Sequence, residues 1–161
     1  MARQLPIEIF MPPNILKAKV GSAIGGIDMA AIKRAEAAVE TLKVEFQDWL
    51  ASDVGALGGC RDAFAAAPSS ETRENLFRAA HDLKGQAETF GYPMIARVAS
   101  SLTRLIDSTN VSADVPLSLV DAHVAAIRVV FREKITTTSD TIAKMLAEEL
   151  EARVTETLGA A

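Results

Sequence analysis

Residues 80–91 read Ala80-His81-Asp82-Leu83-Lys84-Gly85-Gln86-Ala87-Glu88-Thr89-Phe90-Gly91. With Leu76 before them, Ala80, Leu83, Ala87 and Phe90 recur at steps of four, three, four and three, the spacing of one face of an α-helix. His81 lies about 100° round the axis from Ala80. Its imidazole therefore stands beside the apolar stripe, on a flank shared with Phe77, Lys84, Gly85 and Glu88. Pro68-Ser69-Ser70 marks the loop and helix start, Glu71 suits the positive end of the helix dipole, and Gly91 suits the left-handed closing position.

The same periodicity extends outward from this helix. Pro93 fits the first turn of a third helix carrying Ile95, Val98, Leu102 and Leu105. A polar loop from Asn110 to Asp114 follows, and Pro116 opens a fourth helix with Leu117, Val120, Val124, Ile127 and Phe131. Thr136 to Ser139 break the pattern and offer an N-cap to a fifth helix with Ile142, Met145, Leu146, Leu150 and Val154. Upstream, Asp28 is suited to cap a first long helix, with Ile27 and Ile32 at staple spacing. Ile32, Val39, Leu42, Phe46, Trp49, Leu50, Val54 and Leu57 would form its buried face, and Phe46, Trp49 and Phe131 read as core. Gly55 and Gly58-Gly59 each weaken that helix by ~1 kcal/mol relative to alanine, so a bend or break is expected before Phe64. In residues 1–27, Leu5, Ile7, Ile9 and Met11 alternate before Pro12-Pro13, the pattern of an extended arm. The expected fold is all-α: an antiparallel helical bundle over residues 28–161 with a four-helix core, His81 on the second helix, and an extended N-terminal arm over residues 1–27.

Composition narrows the function classes. The 161 residues are 49% hydrophobic and only 5% aromatic, a mix that favours packed helices over a sandwich or barrel. Seventeen basic against 21 acidic side chains give a net charge of −4, which disfavours a nucleic-acid partner. No apolar run approaches the ~20 residues of a membrane span, and Glu8, Pro12, Pro13 and Lys17 interrupt any signal-like segment. A soluble, cytoplasmic protein is expected. Cys60, the one cysteine, has neither a base nor a basic flank other than Arg61, and with two histidines it is too little for structural zinc. No Glu precedes either histidine by three residues, which rejects a di-metal carboxylate bundle, and no phosphate-binding G-x-x-x-x-G-K-[ST] loop is present. No metal site is expected. His123, without a neighbouring glycine or lysine in that pattern, reads as a structural or surface histidine.

The flank of His81 holds the remaining chemistry. Gly85 costs ~1 kcal/mol in mid-helix, yet one turn after His81 its missing Cβ lets another protein approach the imidazole. Lys84 puts an ammonium beside the same ring, where phosphoryl oxygens would need a cation. Neutral imidazole has a free lone pair and can act as a covalent nucleophile. A plainer reading fits the same residues: a helix histidine followed by lysine on an ordinary solvated face.

His81-Asp82-Leu83-Lys84-Gly85, with Gly91 ten residues after the histidine in a helical setting, resembles the histidine-containing phosphotransfer (HPt) domain of bacterial multistep phosphorelays. Thr89-Phe90-Gly91-Tyr92-Pro93 is similar to the single-domain HPt proteins of alphaproteobacteria, and the specific match covers roughly residues 70–107. The resemblance implies a helical bundle that takes a phosphoryl group from a receiver-domain aspartyl phosphate and passes it to another receiver's aspartate. His81 would be the phosphoacceptor, Lys84 would steady the phosphoryl oxygens and Gly85 would clear the approach. It also implies no ATP site and no cofactor of the chain's own, with the acidic pocket, Mg²⁺ and catalysis supplied by the receiver. The chain would thus be a phosphotransfer intermediate rather than an enzyme.

Two positions depart from the family pattern. Gln86 and Ala87 stand where many members carry small residues or serine, and Gln86 is placed to offer the phosphoryl group a polar contact. Thr103, twenty-two residues after His81, stands where many members carry a glutamine that hydrogen-bonds the imidazole. Threonine is shorter, and a bridging water could replace that contact. Phe77, Arg78, Gln86, Glu88 and Thr103 complete the candidate binding residues. Residues 71–107 hold five basic and five acidic side chains, so Arg78, Lys84, Arg97 and Arg104 could give a local positive edge towards an acidic receiver pocket. The expected partners are receiver domains of response regulators and of a hybrid histidine kinase, with no nucleic acid and no membrane. The alternative from another class is a helical scaffold or interaction module in which His81 is only a surface residue.

Overall fold

The computed structural model describes residues 29–108 and 115–159. All regular structure among them is helical: α1 (Met29–Ala66), α2 (Ser70–Thr89), α3 (Pro93–Asp107), α4 (Leu117–Arg132) and α5 (Thr141–Gly159). The expected arm, the Asp28 cap and the Asn110–Asp114 loop lie outside the described residues. The chain divides into two compact units, residues 1–39 and 40–161. The described part of the first is the opening of α1, residues 29–39, exposed throughout. The second holds the buried core and the candidate site.

Local sequence sets the borders of α2. Ser69 Oγ accepts the Thr72 backbone N–H at 3.1 Å, and Thr72 Oγ1 accepts the Ser69 N–H at 3.0 Å. This is a capping box with threonine in the place usual for Glu or Gln. At the other end Gly91 takes φ +83°. The Tyr92 N–H then donates to Ala87 O at 2.7 Å and the Gly91 N–H to Glu88 O at 3.0 Å, the paired bonds of a Schellman turn. Pro93 follows as the first residue of α3. The tight turn lays α3 antiparallel on α2, and their packing is the most extensive between any two helices described.

α3 is the hub, packed on α2, α4 and α5. Met94, Ile95, Val98, Leu102, Leu105 and Ile106 are buried along it. Leu76, Leu83, Val120, Ile127, Leu150 and Val154 reach the same core from its neighbours. A fully buried side chain of this size contributes about 1.5–3 kcal/mol, so this interior fixes the relative placement of α2 and α3. From α1, Leu50, Val54, Leu57 and Phe64 join it. Phe46 stacks on Phe90 with centroids 4.8 Å apart, and Arg61 binds both carboxylate oxygens of Asp121 on α4 at 2.5 and 2.6 Å.

Four expectations need correction. α1 runs without a break past Gly55, Gly58 and Gly59 to Ala66. Gly58 has a packing reason, because the Arg128 guanidinium occupies the place a Cβ would take. Ile32, Val39, Leu42 and Trp49 are exposed, Trp49 at 52%, and Phe46 and Phe131 are only partly buried. On α5 the buried stripe is Ala143, Ala147, Leu150 and Val154, while Ile142 and Met145 face solvent at 79% and 64%. The cap of α5 is Asp140, whose Oδ1 accepts the Ala143 N–H at 2.8 Å, rather than a residue of the Thr136–Ser139 run.

Candidate functional site

His81 sits three turns into α2, where the 100° step from buried Ala80 carries it off the core side. Its side chain is 63% exposed. Phe77, one turn earlier, lies under the imidazole with centroids 5.9 Å apart and planes 24° apart. Phe77 itself packs partly against the core, so the stack ties the ring to a fixed support. Nδ1 is the ring nitrogen turned toward Asp82 Oδ1, 3.8 Å away, beyond hydrogen-bond length. Neither ring nitrogen is hydrogen-bonded among the described residues. At Gly85 an added Cβ would meet nothing within 4 Å, so the space over that turn is open.

A groove runs between α2 and α3 beside the ring. His81, Lys84, Gly85 and Glu88 line it from α2, and Pro93, Ala96, Arg97 and Ser100 from α3. The two helices run antiparallel across it, so Glu88 and Pro93 lie at the end nearest the turn and His81 and Ser100 at the end farthest from it. Lys84 makes no ion pair among the described residues. Arg97 is held from the far side by α5, through two parallel bonds of 2.7 Å from Nε and Nη2 to the Glu151 carboxylate. This pairing holds the Glu151 carboxyl below its usual range, and the same hydrogen bonds raise Arg97.

The remaining sequence candidates distribute around this groove. Arg78 is exposed and paired with Glu74 at 2.8 Å. Gln86 is exposed but outside the groove, because five residues place it about 140° round from His81. Thr103 is buried, is not among the residues that line the groove, and donates its hydroxyl to Ser100 O at 2.8 Å. It does not take the place of an imidazole partner in the groove; Ser100 and Arg97 line that wall instead. Arg97 stood out in the sequence only as one of several charges, and Ser100 carried no signal. Both become legible once α3 is registered against α2 from the Gly91 turn.

The second histidine has the opposite setting. His123 is fully buried. Its Nδ1 donates to Leu119 O at 2.7 Å, so Nε2 accepts from the Ser101 hydroxyl at 3.1 Å. Burial pushes its pKa below the ordinary value of 6.5, against a smaller opposing effect of the Leu119 bond. Both nitrogens are committed, and His123 serves as a neutral tie between α3 and α4. Cys60 is partly buried, and among the described residues no cluster of three His, Cys, Asp or Glu side chains is placed to hold a metal. No described helix is long and apolar enough to cross a membrane.

A protein-family model, that of the Hpt domain, matches residues 32–152. Comparison with curated proteins and with solved structures returns no match.

Proposed function

The chain belongs to the Hpt domain family, whose members are phosphotransfer carriers of two-component signalling rather than catalysts, and on that premise we propose that His81 is its phosphoacceptor. In this reading His81 moves phosphoryl groups between receiver domains of a hybrid histidine kinase and of a response regulator. One observation carries the assignment: an exposed imidazole, with neither nitrogen hydrogen-bonded among the described residues, stands beside a turn with open space over Gly85. His123, the other histidine, is sealed and doubly hydrogen-bonded.

The chemistry follows from that arrangement. Asp82 lies on the Nδ1 side, which favours the proton there and leaves the Nε2 lone pair directed outward. Attack by Nε2 on a receiver's aspartyl phosphate forms the N–P bond as the acyl P–O bond breaks. The aspartate leaves as carboxylate and the Nδ1 proton stays on the ring. Lys84 faces the phosphoryl oxygens as a point charge, and Gly85 lets the receiver bring its aspartate into line. Onward transfer reverses these bonds at a second receiver. The receiver supplies the acidic pocket and Mg²⁺, so the chain needs only an accessible, oriented nucleophile. A carrier must also release each partner, which suits a docking surface of moderate size.

A chase tests the relay. Label from a phosphorylated receiver with Mg²⁺ should appear on the chain as an acid-labile, base-stable phosphoramidate, then leave on addition of a second receiver. Label that never reaches the chain from any cognate receiver would favour the scaffold reading.

A further inference from the structure

Arg97 lines two grooves at once. One is the α2–α3 groove of His81; the other lies between α3 and α5 and includes Ser100, Arg104, Glu148, Glu151 and Thr155. Arg97 precedes Ser100 by three residues, and both line the groove with His81. Three residues are about 4.5 Å along the axis, within the span of an arginine side chain. In the unphosphorylated chain its guanidinium is engaged by the Glu151 carboxylate, and both side chains are 35% exposed. An ion pair this open to water is readily exchanged.

We propose that Arg97 is a positioning residue for the phosphorylated state: when His81 carries a phosphoryl group, the Arg97 guanidinium transfers from Glu151 to the phosphoryl oxygens. This rests on His81 being the phosphoacceptor. A phosphoryl group carries a charge of about −1.5 to −2 at neutral pH, more than one carboxylate, and can turn two of its three oxygens to a guanidinium fork. Glu88 adds an anion to the groove, so Lys84 alone leaves the phosphorylated site negative. The exchange does not detach α5. Arg104 keeps its bonds to Thr155 Oγ1 at 2.9 Å and Glu151 O at 3.2 Å. Glu151 thereby sets how freely Arg97 reaches the site, and α5 reports whether His81 is loaded. Charge-assisted hydrogen bonds from the guanidinium stabilise the loaded ground state, so Arg97 lengthens the life of the phosphohistidine.

The full chain loaded with phosphoramidate tests this without a receiver. That donor gives its phosphoryl group to an imidazole nitrogen and releases ammonia. In the wild type the Arg97 Nε–Hε resonance should shift on loading. The phosphohistidine half-life should fall about three- to tenfold in Arg97→Gln, be partly restored in Arg97→Lys, and lengthen in Glu151→Gln. Circular dichroism follows the fold, and if Arg97→Gln does not fold, the wild-type resonance and Glu151→Gln decide. Normal loading with an unmoved resonance and equal half-lives overturns this inference alone, leaving Arg97–Glu151 a structural clamp. Failure of His81 to load overturns the carrier reading and this inference together.

Discussion

The rings of Phe77 and His81 are stacked one helical turn apart, with centroids 5.9 Å apart and planes 24° apart. The apolar ring rests on the core and the polar one faces solvent, so the imidazole is exposed without being unconstrained. Replacing Phe77 by alanine removes that support. Ring pairs contribute ~0.5–1.5 kcal/mol when buried and less when wet, so phosphoramidate loading of Phe77→Ala should slow by about two- to fivefold. A ³¹P NMR time course measures it; unchanged loading would show that the stack has no part in orienting the nucleophile.

Gly85 separates access from folding. Since a Cβ there meets nothing within 4 Å, Gly85→Ala should raise stability, by up to ~1 kcal/mol from helix propensity. Gly85→Phe should also fold and should still load with phosphoramidate, a donor small enough to pass the added ring. Transfer from a phosphorylated receiver should fall on the order of tenfold or more, because the incoming aspartate is displaced from line. Equal receiver rates in Gly85→Phe and wild type would remove the access argument.

Gly91 is a fold-level test. Its φ of +83° allows the two hydrogen bonds that close α2 and turn the chain into α3. Gly91→Ala forces a Cβ into a left-handed conformation, at ~1–2 kcal/mol. Chemical denaturation should show that loss with an unchanged m-value. A stability equal to wild type would mean that the turn has relaxed to another geometry.

His123 gives a pH signature with a definite sign. Its folded pKa is depressed below 6.5, so between the two values the unfolded chain binds a proton that the folded chain does not. Stability therefore rises with pH up to about 6.5, is flat above it, and is lost as pH falls, with a slope of at most ~1.4 kcal/mol per pH unit. Glu151, whose pKa is lowered by Arg97, loses its contribution only at more acid pH, below its ordinary 4.5. Denaturation curves between pH 5 and 7 should show the slope in wild type and not in His123→Gln. An identical slope in both would assign it to another group.

Much of this was legible in the sequence, and the failures have physical causes. The stripe of α2, its closure at Gly91 and the start of α3 at Pro93 depend on backbone chemistry local to those residues, so spacing alone predicts them. The covered face of α5 is different. Ile142 and Met145 are larger and more apolar than Ala143 and Ala147, yet the alanines lie on the core side. Hydrophobicity reports which residues favour burial, whereas helix packing also needs small side chains where another helix comes close. Trp49 and Leu42 show the same limit on α1: an amphipathic stripe does not reveal whether a partner covers it. At the site, His81, Lys84, Gly85 and Glu88 were readable because they share one helix. Arg97 and Ser100 enter only through the register of a second helix, and Thr103 fell on its buried side.

The most direct test of the central claim is to transfer labelled phosphate from a phosphorylated receiver to the full chain and identify the atom that carries it. The account predicts one label, on Nε2 of His81, and none in His81→Gln, whose bundle should melt within about 0.5 kcal/mol of wild type because the side chain is exposed. Label on His123, or label that persists in His81→Gln, would contradict it.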